Sequence, residues 1–364
     1  MRLTGLDLLR SIIMFFGPTF HASMLLFGVW GFYYEFSINN SLLVALDFTH
    51  YFRMQLFFLI SGFFSSLVIS RKGSAEFKKN RINRILLPTA SSIIIILPII
   101  FGEMYFLLGD RELSHYLSYK HLWFLVVLSV INIILMASPE AMNNLARSCS
   151  EKLNRLNWVV IISFFTFFIY VFAVIGLVIN NINKNYSILE LFQVNGVITY
   201  LPYFITGMLI FFIDKKPGVP MLIFFAIFYT AWYFLMKYEL EGYQSIMKFT
   251  SRFASLLVCI SIFYCFKNMQ IKETASVNFL TKMALPFYLC HLPIMILLSW
   301  VWLTLDVSHN PLIFILTIVP ANCLLSLVAG YVMMKIKASR TLFGLTQPSV
   351  PKSKVIAVQD VGMR

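Results

Sequence analysis

The sequence predicts an all-α fold: a polytopic integral membrane bundle of about ten transmembrane helices. Its 364 residues are 59% hydrophobic and 12% charged, and the mean hydropathy is +0.79. This composition is too apolar for a soluble domain of such length. Apolar stretches recur along the whole chain, and each is near the roughly 20 residues that cross the hydrocarbon core of a bilayer. The connections between them are short, so the function is expected inside the bundle.

Ten stretches meet this length requirement: Leu6–Val29, Phe52–Ser70, Ile85–Leu108, His121–Ser138, Trp158–Ile179, Val197–Ile213, Val219–Lys237, Thr250–Phe266, Ala284–Leu303 and Leu312–Met334. They predict one membrane-embedded domain over residues 1–338. The first stretch contains Arg10 and no small-residue cleavage site follows it, so we expect it to be a retained span and not a signal peptide. Residues 339–364 contain two prolines and little apolar periodicity, which favours a disordered cytoplasmic tail.

The basic residues of the connections predict the orientation. Lys and Arg number 21 on one side of the ten stretches and 7 on the other, where the termini, the connections and the ends of the stretches are counted together. Because cytoplasmic loops carry the excess of Lys and Arg, both termini are expected in the cytoplasm. The net charge of +13 then reflects topology in a lipid environment, and no nucleic-acid partner is expected.

Cysteine and histidine spacing gives no sign of a bound group. The five cysteines fall singly, without a CxxC pair or a nearby His pattern, so neither a disulfide framework nor a metal site is predicted. The sequence also lacks a P-loop and a dinucleotide fingerprint. We therefore expect no permanently bound cofactor.

Arg10 and His21 are ionisable residues inside the first apolar stretch. Such residues are costly in a bilayer and are retained for function, facing a cavity or the bundle interior. On a continuous α-helix their spacing corresponds to about 16.5 Å of rise and about 20° of rotation. Both side chains would then line one face of one cavity, with Arg10 near its mouth and His21 deeper, and these two are the candidate catalytic residues.

The stretch from His50 to Phe64, HYFRMQLFFLISGFF, begins with polar residues and ends in a small-residue pair. Arg53 and Ser61 are candidates for lining a substrate path. The alternatives are that Arg53 anchors the helix at the interface and that Ser61-Gly62 lets two helices approach closely.

A basic run precedes the third span and contains Lys78, Lys79, Arg81 and Arg84. One interpretation is a topology signal that also contacts anionic lipid. The other is a cytoplasmic clamp for the phosphates of a nucleotide-bearing donor, because guanidinium groups match phosphate oxygens bidentately.

Four further residues are candidates for lining the substrate path, and each lies near the end or the middle of a span. His121 and Trp123 open the fourth span, where Trp is also common as an interfacial residue. His291 lies between two prolines in the ninth span, and a packing role is the alternative. Glu103 is a fourth candidate, and either it or Asp47 would suit as the carboxylate that orients a catalytic histidine.

Taken together, these motifs resemble the acyltransferase-3 family of integral membrane acyltransferases. The resemblance rests on Arg10 and His21 in the first span, FFLISGFF in the second, Arg81 and Arg84 on the basic loop, HLWFL opening the fourth span and FYLCHLPI late in the chain. It covers about residues 4–335. Within the family, the stretches around His50 and His121 are most similar to members that succinylate osmoregulated periplasmic glucans of Gram-negative bacteria.

The resemblance implies transfer of an acyl group, best matched by succinyl, from cytosolic acyl-CoA to a hydroxyl of a periplasmic glucan. The expected location is the bacterial inner membrane. His21 corresponds to the family's essential histidine, and Arg10, Arg81 and Arg84 to its essential arginines. His21 would act as general base, and a covalent acyl-His21 relay stays open. The soluble hydrolase-like domain of some members is not seen after Met334, which favours direct transfer inside the bundle.

Two alternatives remain at the level of sequence. One is an O-acetyltransferase of another surface glycan. The other is a transporter of a small anion or glycan, because a bundle with intramembrane Arg and His also suits translocation. No inverted repeat is visible in support of a transporter. The sequence does not predict the oligomeric state.

Overall fold

The structure is a computed structural model that describes residues 3–28, 32, 36, 44, 47–112, 116, 118–182, 187–237 and 244–345. Within these ranges the chain is mainly helical and contains no β-strand, which confirms the all-α prediction. In chain order the helices are α1 (Thr4–Phe15), α2 (Gly17–Leu25), α3 (His50–Arg81), α4 (Leu87–Phe106), α5 (Trp123–Ala137), α6 (Pro139–Leu153), α7 (Trp158–Ile182), α8 (Ser187–Leu191), α9 (Val194–Phe212), α10 (Val219–Lys237), α11 (Gln244–Asn268), α12 (Ala275–Leu305), α13 (Pro311–Lys335) and α14 (Lys337–Leu342). A π-helical turn, Ile82–Leu86, joins α3 to α4, and a 3-10 turn, Lys120–Leu122, precedes α5.

Nine helical segments among the described residues are long and apolar enough to cross a membrane. One of them, His50–Phe106, has 57 residues, which as a straight helix would measure about 85 Å, against about 30 Å of hydrocarbon. It folds back at Gly73, whose φ is +79°. Arg81 donates to the Ser65 hydroxyl at 2.9 Å, although 16 residues of straight helix would separate them by about 24 Å. This segment therefore holds two of the ten predicted spans, and the predicted membrane bundle is confirmed.

The centre of the bundle is the contact between α3 and α9. A Cβ on Gly62 would overlap the carbonyl oxygen of Phe204, and a Cβ on Gly207 would overlap that of Leu59. The two backbones meet at these glycines because no side chain separates them, as in other membrane helix pairs. The structure thus gives Gly62 the close-approach role that was one of the two interpretations of the Ser61-Gly62 pair.

The described part of the predicted tail is folded. Helix α14 follows α13 directly, and Phe343 after it is only 4% exposed, so the chain as far as Leu345 packs on the bundle instead of being disordered. Burial of an aromatic side chain explains this difference from the sequence-based expectation. Residues 346–364 lie outside the described residues.

Candidate active site

The first span is confirmed, but it is not one continuous helix. Helix α1 ends at Phe15 and α2 begins at Gly17, with Pro18 in its first turn. Proline has no N–H to donate to the preceding turn, which explains a break at this point. The interruption is one residue long, and Phe16 keeps a helical conformation, with φ −76° and ψ −4°, so the rotation calculated for Arg10 and His21 on a continuous helix stays a prediction.

Arg53 supports this break from the neighbouring helix. Its guanidinium donates to the carbonyl oxygen of Phe16 at 2.9 Å and lies 5.1 Å from the centroid of the Phe20 ring. The residue is 7% exposed. This burial does not fit the interfacial-anchor interpretation of Arg53, because an anchor at the membrane surface is exposed to water. The contact with Phe16 instead ties α3 to the residue between α1 and α2.

Three histidines meet beyond the break, and all three are buried. The ring of His291 lies 5.1 Å from that of His21 and 5.0 Å from that of His121, and the His21 and His121 rings are 6.4 Å apart. They come from α2, the 3-10 turn and α12, so the fold brings together residues that are up to 270 positions apart. We call these residues the histidine cluster; it unites three of the predicted site residues.

His291 has a defined tautomer within the cluster. Its Nδ1 lies 2.6 Å from the carbonyl oxygen of Tyr288, and a carbonyl can only accept, so Nδ1 carries the proton. In the neutral ring Nε2 then holds a lone pair, and this buried atom has no hydrogen-bond partner among the described residues. It faces the break in the first span, 3.3 Å from where a Cβ of Gly17 would lie. The geometry therefore leaves a proton acceptor next to His21.

Tyr288 connects the cluster to an aromatic layer. Its hydroxyl donates to the carbonyl oxygen of His121, which ties α12 to the 3-10 turn. On its other side the Tyr288 ring lies 4.7 Å from that of Phe124, edge to face, and Phe124 is 5.1 Å from Phe57. These three rings, which we call the aromatic layer, lie in a row: Tyr288 contacts the histidine cluster, and Phe57 and Phe124 line the cavity described next.

A cavity of about 530 Å³ lies next to the aromatic layer, within the size range of sites for small molecules. Phe57 and Phe124 form part of its wall. Four basic side chains and one acidic side chain line it: Arg10, Arg81, Arg84, Lys282 and Asp7. By the predicted topology this cavity opens to the cytoplasm, and its excess of positive charge suits an anionic ligand.

The cavity contains Arg10 but not His21 among its lining residues. Arg10 lies 3.9 Å from Asp7 and 5.8 Å from the centroid of the Phe64 ring. Of the two candidate catalytic residues, Arg10 alone lines this cavity, so a cavity shared by Arg10 and His21 stays a prediction.

The two arginines of the basic run behave differently from its two lysines. Arg81 is half-buried, stacks on Phe77 at 4.9 Å and bonds Ser65, whose hydroxyl in turn donates to the carbonyl oxygen of Ser61 at 2.8 Å. Arg84 is exposed but lines the cavity. Lys78 and Lys79 are exposed and do not line it. Ser61 also lines the cavity, and its role in lining a substrate path stays a prediction.

The remaining predicted site residues neither line the basic cavity nor belong to the histidine cluster. Trp123 packs against Tyr200 at 5.5 Å. Asp47 forms an ion pair with Lys237 at 2.6 Å, so the carboxylate pairs with a lysine and not with a catalytic histidine. Glu103 is half-buried in α4, and its Oε2 has no hydrogen-bond partner among the described residues.

Sequence reasoning missed Lys282 and Tyr288. Lys282 lies in α12, but the span boundaries predicted from the sequence placed it in a connection before the ninth span, where it was counted only as a topology signal. Tyr288 precedes His291 by three residues, a spacing that places both on one helix face, and this was the available signal.

These features, a polytopic helix bundle with a buried histidine cluster and a basic cavity, are accompanied by a match to a known family. The chain belongs to the acyltransferase-3 family of membrane proteins, whose model, described as an acyltransferase domain, matches residues 3–331. Among curated proteins it is similar to Glucans biosynthesis protein C of Escherichia coli K12 and of Escherichia coli O157:H7, with 30% identity over 229 residues in each case. The match covers 57% of this chain and 57% of each relative, so it spans little more than half the length of those proteins. No solved structure matches the chain significantly.

Proposed function

We propose that this protein transfers an acyl group, with succinyl as the leading candidate, from cytosolic acyl-CoA to a hydroxyl of a periplasmic glucan. The observation that carries the proposal is a basic cavity whose wall residue Phe124 packs on Tyr288, which in turn contacts a cluster of buried histidines. The basic cavity suits a nucleotide-bearing donor, and the histidine cluster suits proton transfer. The similarity to proteins named for glucan biosynthesis supports the choice of acceptor.

In this proposal His21 is the general base. A thioester is already activated, so the enzyme has mainly to deprotonate a weakly acidic hydroxyl and position it on the acyl carbon. The hydroxyl oxygen bonds to that carbon, the carbon–sulfur bond breaks, and the proton finally passes to the thiolate of CoA. The Nε2 lone pair of His291, next to His21, provides a place for the proton during transfer.

On the donor side, Arg81 and Arg84 would bind the phosphates of the donor, and Arg10 the succinyl carboxylate or the thioester oxygen. The donor would extend from the cavity towards the aromatic layer, so the ring of Phe124 has to move before the acyl group can reach His21. Both direct transfer and an acyl-His21 intermediate are compatible with this path.

The test uses purified full-length protein in detergent with radiolabelled succinyl-CoA and periplasmic glucan. We expect labelled glucan from the wild type and none from His21→Ala, and thermal unfolding of that variant should match the wild type. Substantial labelling by His21→Ala would reject both roles of His21. A transporter would instead move label into proteoliposomes without forming an ester, so the chemical state of the label separates the two classes.

Omitting the acceptor tests for the intermediate. Label that stays on the protein after denaturation, and is absent from His21→Ala, would identify an acyl-His21 relay. Label that is released entirely as succinyl-CoA would support direct transfer.

A further inference from the structure

The last described residues of the chain form part of the wall of the basic cavity. Gly344 and Leu345 line it together with Arg81 and Arg84. These two residues lie beyond Tyr331, where the match to the family model ends. We call residues 337–345 the C-terminal strap. It consists of α14 and the turn Phe343-Gly344-Leu345.

Three contacts hold the C-terminal strap against the bundle. The Phe343 side chain is buried in the core at 4% exposure. The Ser91 hydroxyl of α4 donates to the carbonyl oxygen of Leu342 at 2.7 Å. Arg340 donates to the carbonyl oxygens of Met334 and Lys335, at 3.1 Å and 3.0 Å, which fastens the start of the strap to the end of α13. The strap is thus anchored on both sides of its helix.

Gly344 is the point where the strap meets the backbone from Arg81 to Arg84, which we call the arginine turn. A Cβ at this position would overlap the carbonyl oxygen of Asn83, which lies between Arg81 and Arg84 in sequence. The φ of Gly344 is +58°, a left-handed conformation in which glycine carries no penalty. Both facts favour glycine, but the overlap is the stronger constraint, because non-glycine residues do adopt this region in a few per cent of cases.

The carbonyl oxygen of Asn83 is accessible to the strap because of a proline five residues later in the sequence. Leu87 donates its N–H to the carbonyl oxygen of Ile82, five residues back, in the π-helical pattern. The next residue, Pro88, has no N–H, so it cannot donate to Asn83 in the same pattern. The backbone at Asn83 is therefore not held by this π-helical bond, and the strap packs on it from outside.

We propose that the C-terminal strap is a working part of the donor site and that Gly344 is a positioning residue for Arg81 and Arg84. By packing on Asn83, Gly344 fixes the turn from which both guanidinium groups enter the cavity. The ligand class is the phosphate-bearing coenzyme A portion of the donor. This inference rests on the proposed function, and it goes beyond the residues that the family model covers.

The test titrates coenzyme A into the full-length protein in detergent and compares Gly344→Ala with the wild type. The substitution changes no charge, so any loss of affinity reports geometry. We expect the affinity for coenzyme A to fall by about 10-fold, the size expected when one charge-assisted contact is misaligned. In acyl-transfer assays the donor KM should rise while kcat changes little, because the phosphates are remote from the reacting carbon.

Gly109→Ala is the matched control. Gly109 also has a positive φ, of +72°, but no atom lies within 4 Å of its Cβ position, so this variant carries the backbone penalty without the overlap. Its affinity for coenzyme A should equal that of the wild type. If Gly344→Ala does not fold, Ser91→Ala replaces it: losing the bond to Leu342 should loosen the strap and weaken binding by about threefold.

The outcomes separate the inference from the proposed function. Unchanged affinity in Gly344→Ala, or in Ser91→Ala as its substitute, would overturn the role of the strap while leaving the donor site intact. A wild type that does not bind coenzyme A would overturn the donor assignment itself, and the strap's role with it. A lower unfolding temperature without a change in affinity would mean that the strap only stabilises the fold.

Discussion

Replacing Arg81 and Arg84 with alanine should weaken donor binding far more than replacing Lys78 and Lys79. Both double variants remove two positive charges from the same loop, so any effect on membrane topology is matched between them. Of these four residues, only Arg81 and Arg84 line the basic cavity. The comparison therefore distinguishes a phosphate clamp from a general attraction of anions to a basic loop.

The size of the effect follows from the exposure of the two arginines. Arg81 is half-buried, and a charge-assisted contact from such a group is worth roughly 1.5–3 kcal/mol. Arg84 is exposed, and solvent screening limits its share to about 0–1 kcal/mol. The dissociation constant for succinyl-CoA should rise at least about 10-fold in the arginine variant. In the lysine variant it should stay within about twofold, because contacts of exposed charges are weak.

Isothermal titration of succinyl-CoA into each purified variant measures both dissociation constants. Raised salt should weaken binding by the wild type and have a smaller effect on the arginine variant, which has already lost these contacts. Turnover at saturating donor should change little in either variant. Equal losses of affinity in the two variants, or no loss in the arginine variant, would refute the phosphate clamp and leave the loop as a topology signal.

Three other outcomes are expected. Tyr288→Phe removes the donor to the carbonyl oxygen of His121, so kcat should fall by about 10-fold with little change in donor KM, as measured by initial rates; an unchanged kcat would make the bond dispensable. Gly207→Val places a side chain where α3 and α9 touch, so the protein should unfold at a lower temperature in detergent, and wild-type stability would contradict the packing described. Reporter fusions after Arg340 should report cytoplasm and after Asn183 the outside; the opposite result would reverse the predicted orientation.

The sequence predicts the membrane bundle well because span length is a local property. Each apolar stretch must bury its own backbone hydrogen bonds, so composition alone determines helices of the right length. The interruption of the first span before Gly17 was harder to predict from the sequence. Pro18 indicates it, but a proline within a membrane helix also occurs without a full break. The fold-back at Gly73 is similar, since one glycine with a positive φ turns 57 helical residues into two spans.

The candidate site was predicted only in its parts. Sequence reasoning selected His21, His121 and His291 one by one, from their positions in apolar stretches, but no local pattern states that three distant histidines share a cluster. Likewise, the pattern around Arg53 left both an interfacial and a buried position open, and the bond to Phe16 exists only because α1 and α3 pack together. Such contacts between distant segments depend on the whole fold, which periodicity does not describe.

The aromatic layer of Phe57, Phe124 and Tyr288 has a consequence for the membrane potential. Under the proposed function, the protein binds one substrate from the cytoplasm and the other from outside, and polar side chains lie at both the basic cavity and the histidine cluster. A continuous file of water between these two sites would conduct protons and dissipate the membrane potential. Close-packed rings exclude such a file, as apolar constrictions do in channels. Under the proposed function, the three side chains that the acyl group passes would therefore also limit proton leakage across the membrane.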